Sequence, residues 1–377
     1  MKPIIELARP EVRRLMEYVH GGEVWDVASE TAIRHGRVLD FSSNVNPLGP
    51  SLRALEAINA CSWRIPFYPE SSSSALREAI AQYVGGIGEE NVIVGNGSCE
   101  LIHLFAEAFI GREAEALIPI PTFSEYERAV KKMGGETKFF RLTKDFITYP
   151  KNLLDEIDSR TCAVFLCNPN NPTSALINRE TILKIVQGSL RKDVIVFLDE
   201  TFMGFVSRER RFSLAKQVGT YPNVFVLSSF TKLFGLTGLR VGYGVACKDI
   251  IDVLSKVKLP WNVNVLAQVA AIAALEDVEY LENTEKLLKE EKAFLLSKLG
   301  EIDCFKVFPA DANFIFIDVR KSGLTAAELK RKMLNHGILI RDCSSFRSLD
   351  EYFIRIAIRT RQENQRLLKA LKEIGVG

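Results

Sequence analysis

Lys232 stands in Ser228-Ser229-Phe230-Thr231-Lys232-Leu233-Phe234-Gly235-Leu236-Thr237-Gly238-Leu239-Arg240-Val241-Gly242, directly after an apolar run at 224–227. Hydroxyls, one amine and one guanidinium fall within a few residues of one another, with glycines beside them. Such a set suits a phosphorylated aldehyde. Lys232 is the candidate amine for a Schiff base. Ser229, Thr231 and Arg240 are candidates to hold the phosphate, the arginine through a forked and permanently charged contact. The glycines allow backbone to come close. The plain alternative is a glycine-rich loop with a solvated lysine.

Three other stretches have chemistry to offer. Residues 194–198 form an apolar run that ends in Asp199-Glu200. Residues 162–166 form another, followed by the polar turn Cys167-Asn168-Pro169-Asn170-Asn171-Pro172-Thr173. A short apolar run at 91–94 leads through Gly95-Asn96-Gly97-Ser98-Cys99-Glu100 into an amphipathic helical pattern over 101–109. Strand, glycine-rich turn and helix start together make an anion site, with Ser98 and Cys99 donating backbone N–H groups.

The order of asparagine turn, strand-end aspartate and lysine loop resembles the fold-type I pyridoxal-phosphate enzymes. Within them it resembles the branch that holds histidinol-phosphate aminotransferases and the L-threonine-O-3-phosphate decarboxylases of cobalamin synthesis. The resemblance covers nearly the whole chain. It implies pyridoxal 5′-phosphate on Lys232, with Asn171 donating to the phenolic oxygen and Phe123 stacked on the ring. It also implies Asp199 beside the pyridine nitrogen, where an opposite charge favours the protonated ring. Tyr68, in Tyr68-Pro69-Glu70, would reach across a homodimer interface to the partner's cofactor phosphate. Its alternative is an ordinary surface tyrosine; for Phe123 it is core packing, and for Asp199 a helix cap or surface acid.

Several segments are similar to the decarboxylases rather than the aminotransferases. His20-Gly21-Gly22 is one, and the aminotransferases of the group lack it. Asp40-Phe41-Ser42-Ser43-Asn44-Val45-Asn46-Pro47-Leu48-Gly49 is longer than the aminotransferase Asn-x-Asn-Pro, and implies that Asn44 approaches a substrate phosphate. Phe202, in Asp199-Glu200-Thr201-Phe202, stands where the aminotransferases carry a tyrosine that reaches the phenolic oxygen. Pro260-Trp261 and the later Val263-Asn264 match a further decarboxylase segment. Arg341 matches the substrate-phosphate arginine and Arg355 the carboxylate arginine. An arginine inside the apolar run 352–358 needs an anionic partner in any case, because a buried unpaired charge is costly. Arg359 and Arg361 read as surface salt-bridge residues.

The elements that must position these groups follow from periodicity. Apolar runs alternate with helical patterns through the middle of the chain, which predicts an α/β fold with a mainly parallel sheet covered on both faces. The resemblance implies a large cofactor domain over 46–275 and a small α+β domain made from 1–45 plus 276–377. A helix is predicted at 10–18, with Val12, Leu15, Met16 and Val19 on one face. Ser174 replaces the family's usual glycine after Pro172-Thr173.

The 377 residues are 47% hydrophobic, enough for a large core. The net charge of +2 and the lack of a long basic run give no sign of nucleic-acid binding. The seven cysteines are scattered without metal-ligand spacing, so no metal is expected and a reducing compartment is. No apolar stretch is long enough to span a bilayer and no signal core is seen, which predicts a soluble cytoplasmic protein. The function expected is decarboxylation of L-threonine O-3-phosphate to an aminopropanol phosphate. Histidinol-phosphate aminotransferase is the alternative, and a catalytically silent binding protein on the same fold a third reading.

Overall fold

The computed structural model describes residues 3–15, 22 and 38–376. In chain order the strands are β1 (Leu39–Asp40), β2 (Val92–Gly95), β3 (Glu115–Ile120), β4 (Glu136–Arg141), β5 (Thr161–Cys167), β6 (Ile195–Asp199) and β7 (Val224–Ser229). They continue with β8 (Gly242–Ala246), β9 (Lys306–Val307), β10 (Phe314–Asp318), β11 (Ile338–Leu339), β12 (Arg341–Asp342) and β13 (Phe353–Ala357).

Seven of them form one sheet in the order β2-β8-β7-β6-β5-β3-β4. Its pairs are parallel except the two that involve β8. The continuous apolar runs reflect burial on both faces. Phe165, Phe197 and Phe225 lie side by side in register on β5, β6 and β7. They pack on Phe105 of the helix Ser98–Phe109, with ring centroids 4.9–5.6 Å away. The alternate residues Val164, Val196 and Val226 enter the core on the other face. Burying one such phenylalanine stabilises the fold by about 1.5–3 kcal/mol.

Strand order reverses between β3 and β5, with β4 on one side and β6, β7 on the other. Connections leaving the carboxyl ends of β3 and β5 therefore diverge, and that divergence opens a crevice. Across it lies a four-stranded sheet, β12-β13-β10-β9, whose neighbours are antiparallel. Strand β1 pairs parallel with β11. Phe41 N–H donates to Leu339 O (2.8 Å), and Ala357 N–H donates to Phe41 O (2.9 Å), which stitches residues 39–41 to the C-terminal part.

The helix expected over 10–18 is shorter where it is described: it runs over Pro10–Arg13 and ends at Arg14, with Leu15 already outside it, and residues 16–18 lie outside the described residues. Val12 stays exposed there, as do Ile4, Ile5 and Leu7. Among the described residues no helix is long and apolar enough to cross a membrane.

Candidate active site

A cavity of about 390 Å³ occupies the crevice. The sheet supplies one wall. Asp199 ends β6, Asn171 lies in the turn after β5, and Phe123 follows β3. Thr231, Lys232 and Arg240 come from the connection between β7 and β8, and all of these line the cavity. That connection is closed at its base by the antiparallel pair Ser229 and Gly242. Ser98 and Cys99 line the cavity at the start of the helix Ser98–Phe109, whose N-cap Gly97 makes no side-chain cap. Gly97 has φ +80, and a Cβ there would stand 2.5 Å from Arg240 Nη2, so only glycine lets the guanidinium lie across the helix end.

Lys232 is held from behind. Asn46 N–H donates to Lys232 O (3.0 Å). Asn46 Nδ2 donates to Leu233 O (2.8 Å) and to Thr284 Oγ1 (2.7 Å). Tyr280 Oη donates to Gly49 O (2.6 Å). Gly235 (φ +67) backs onto Gly49, whose carbonyl oxygen would be 2.6 Å from any Cβ. Burial, then the positive charge of Arg355, draw the Lys232 amine down to about 8. A useful fraction of the nucleophilic free amine is therefore present near neutral pH.

Asp199 is buried at the cavity wall. It accepts from Tyr126 Oη (2.7 Å) and from Thr201 N–H (2.9 Å). Burial raises its pKa despite these donors. Burial and the neighbouring Asp199 carboxylate hold the Tyr126 phenol well above its usual range. A cation brought beside Asp199 would relieve the cost of burying its charge.

The facing wall carries two arginines. Arg341 on β12 and Arg355 on β13 are direct partners across the antiparallel pair, and both are buried. Arg355 donates to Asn171 Oδ1 and to Ser42 O, the latter at 2.7 Å, while its Nε is buried without a hydrogen bond. Burial pulls it down to about 10, so it stays charged at neutral pH. Arg341 Nη2 donates to Ser345 Oγ (2.9 Å), and its guanidinium lies over Phe346. Asn44 also lines the cavity, with its Oδ1 buried and unbonded. Phe202 lines it without a hydroxyl and packs edge-on to Phe314, centroids 5.0 Å apart.

Two residues singled out by sequence stand apart from the cavity, and a third is not described. Ser229 is buried but is not among the residues lining this cavity; its hydroxyl shares a 2.8 Å hydrogen bond with Thr231 Oγ1. Tyr68 lies outside the cavity, 81% exposed, and packs on Trp261 with centroids 4.9 Å apart. His20 lies outside the described residues, although Gly22 is described and its N–H donates to Ser42 Oγ (3.1 Å). Arg359 pairs with Glu363 and Arg361 with Glu291.

Sequence reasoning did not single out Tyr126, the Ser42 carbonyl or Ser345. Tyr126 lies in the first turn of the helix Glu125–Met133 and packs edge-on to Phe123 just ahead of that helix, ring centroids 5.7 Å apart, a contact that no helical spacing signals because Phe123 is not itself helical. Ser174 takes the left-handed conformation (φ 61), and its Oγ accepts from Ala312 N–H (2.9 Å), tying the Asn171 turn to the segment entering β10.

Residues 36–371 match the family described as Aminotransferase class I and II. A histidinol-phosphate aminotransferase of Methanosphaera stadtmanae is 35% identical over 360 residues, 95% of this chain and 96% of that protein. The L-threonine-O-3-phosphate decarboxylase of Porphyromonas gingivalis has a solved structure that superposes with a TM-score of 0.79 at 30% identity, covering 89% of this chain and 98% of its own. A histidinol-phosphate aminotransferase of Sinorhizobium meliloti, solved in complex with pyridoxal-5′-phosphate, gives a TM-score of 0.86 at 21% identity over 97% of each chain.

Proposed function

Because this chain belongs to the class I and II aminotransferase family, a family of pyridoxal-phosphate enzymes, we propose that it decarboxylates L-threonine O-3-phosphate to (R)-1-aminopropan-2-yl phosphate for cobamide synthesis. The observation that carries this reading is the pairing of Arg341 with Arg355, two buried guanidiniums side by side on the cavity wall. Such a wall suits one substrate with both a phosphate and a carboxylate. Phe202 adds support, since it leaves the cavity without the phenol of the aminotransferases.

The cavity's donors fit the cofactor. The uncapped helix start at Ser98 and Cys99, with Thr231 and Arg240, would hold its phosphate. Phe123 would cover the ring, Asn171 would donate to the phenolic oxygen, and Asp199 would meet the ring nitrogen. When bound, pyridoxal phosphate supplies an electron sink for a bond breaking at the substrate's α-carbon. Lys232 Nζ would hold the cofactor through its aldehyde and, when free, is the group placed to carry a proton at the substrate's α-carbon. Arg355 holds the carboxylate, while Arg341, Asn44 and His20 hold the substrate phosphate. Fixing both ends of one substrate sets which substituent of its α-carbon stands out of the ring plane.

A homodimer belongs to this reading, with Tyr68 serving the partner's cofactor phosphate. Trp63, Ile65, Phe67, Tyr68, Leu259 and Trp261 are exposed large hydrophobic side chains, more than solitary surface apolars call for. Sedimentation should give twice the chain mass; a monomer at micromolar concentration would sink this part.

The histidinol-phosphate aminotransferase of Methanosphaera stadtmanae favours a second reading, transamination. Product analysis separates the two. Cofactor-loaded protein should release carbon dioxide and an amine phosphate from threonine phosphate. Glutamate formed from histidinol phosphate and 2-oxoglutarate, with no carbon dioxide from threonine phosphate, would replace the first reading by the second.

A further inference from the structure

The turn after Arg341 has a second space on its far side. A cavity of about 310 Å³ is lined by Phe123, Ser124, Glu127, Phe139 and all of residues 344–349, among others. It shares Phe123, Ser124, Ser345 and Phe346 with the larger cavity. Those four residues are therefore the partition between the two. Phe346 is buried in a small aromatic cluster with Phe308 and Phe316, which anchors the turn from below. Ser345 faces Arg341 through the hydrogen bond already described.

From above, Arg347 ties the turn to the large sheet's layer. Arg347 Nε donates to Glu127 Oε2 (3.0 Å) and Nη2 to Oε1 (2.6 Å). Its guanidinium also lies 4.4 Å from the centre of the Phe139 ring. Glu127, on the helix Glu125–Met133, is buried, whereas Arg347 is 41% exposed. Burial works against the Glu127 charge, but the donors of Arg347 and Lys131 outweigh it and hold the carboxyl below its usual range. A forked contact to a buried carboxylate fixes direction as well as distance.

We propose that Arg347 and Glu127 form a clasp that keeps the partition shut and so sets the length of substrate accepted between amine and phosphate. The proposal rests on the reading that Arg341 meets a substrate phosphate. With the clasp made, Ser345 orients Arg341 and the partition closes the far end of the cavity, which suits a short phosphorylated amine. With it broken, Arg341 loses its guide and the two spaces join. Short ligands then lose their anchor while longer ones gain room. Arg347 and Glu127 are positioning residues, since neither lines the larger cavity.

The test is calorimetric binding to the holoenzyme of two probes, phosphoethanolamine and 6-aminohexyl phosphate. Arg347→Ala should weaken the short probe about tenfold, the scale of one charged hydrogen-bonded contact. The long probe should bind as before or more tightly. Arg347→Lys, which keeps the charge but not the fork, should fall between. Glu127→Gln, which keeps the shape, should shift the ratio in the same direction. A parallel loss of both probes, or an unchanged ratio in all three variants, overturns the clasp. Backbone hydrogen exchange at 344–349 should also quicken in Arg347→Ala while β5 to β7 stay protected; unchanged exchange at the turn overturns it too. Binding needs no turnover, so absence of carbon dioxide from threonine phosphate would sink the decarboxylase reading without deciding this one.

Discussion

On the Lys232 wall, each reactive side chain stands at the carboxyl end of a buried strand or in the connection that follows it. On the Arg355 wall, the same precision comes from partners far away in the chain. Arg355 reaches Asn171 across 184 residues and the Ser42 carbonyl across 313. The first wall is set by secondary structure and the second by tertiary contact. A sheet wall tolerates little change in the chemistry it presents. A wall assembled from distant turns can be re-aimed by changing one turn, which makes it the place for substrate choice to diverge within one fold.

The largest effect should come from the sheet wall. Lys232→Met should lower turnover by about 10³-fold or more and abolish covalent cofactor attachment, read by denaturing mass spectrometry. Turnover near wild type would remove Lys232 from its role. On the other wall, Arg355→Gln should lower kcat/KM by about 10²-fold, the scale of a buried charged contact, while cofactor content stays unchanged. Equal loss of cofactor would mean that the two walls are not separable.

The smallest effect concerns stability of the cofactor-free chain. Burial holds the Lys232 amine at about 8, below its unfolded value. The folded state is thus penalised for binding that proton. The penalty is complete below pH 8 and fades as pH rises toward roughly 10.4, the unfolded value. Lys232→Met should therefore stabilise the cofactor-free protein at pH 7 by about 1 kcal/mol, because the side chain opens partly onto cavity water. Urea unfolding at pH 7 and pH 10 reads it. A gain that does not shrink at the higher pH would show that proton binding is not its source.

The same contrast explains what could be read from sequence. The strands ending at Cys167, Asp199 and Ser229 were legible because their apolar runs are continuous and their polar ends abrupt. Lys232, Asp199 and Asn171 stood out because each follows such a run within a few residues. In β13 the alternation of Arg355 with Ile354 and Ile356 was also visible, yet both faces are buried, so the pattern alone did not say which faces the cavity. Pairing Arg341 with Arg355 needs the register of β12 on β13, which no local pattern encodes. Ser229 shows the limit from the other side. It has the right type and spacing, but lies where its hydroxyl meets Thr231 rather than the cavity. Ser174 needed its left-handed backbone to be seen before its contact with Ala312 had meaning.

The antiparallel course of β8 has a consequence for how this chain can change. Lys232 and Arg240 share one connection, and both of its ends are pinned by the Ser229–Gly242 pair. The connection is a gauge block: its residue count fixes the separation of an amine from a guanidinium. Surface loops ordinarily absorb insertions and deletions at little cost. Here a single added or lost residue would displace both groups at once, and no substitution elsewhere restores a length.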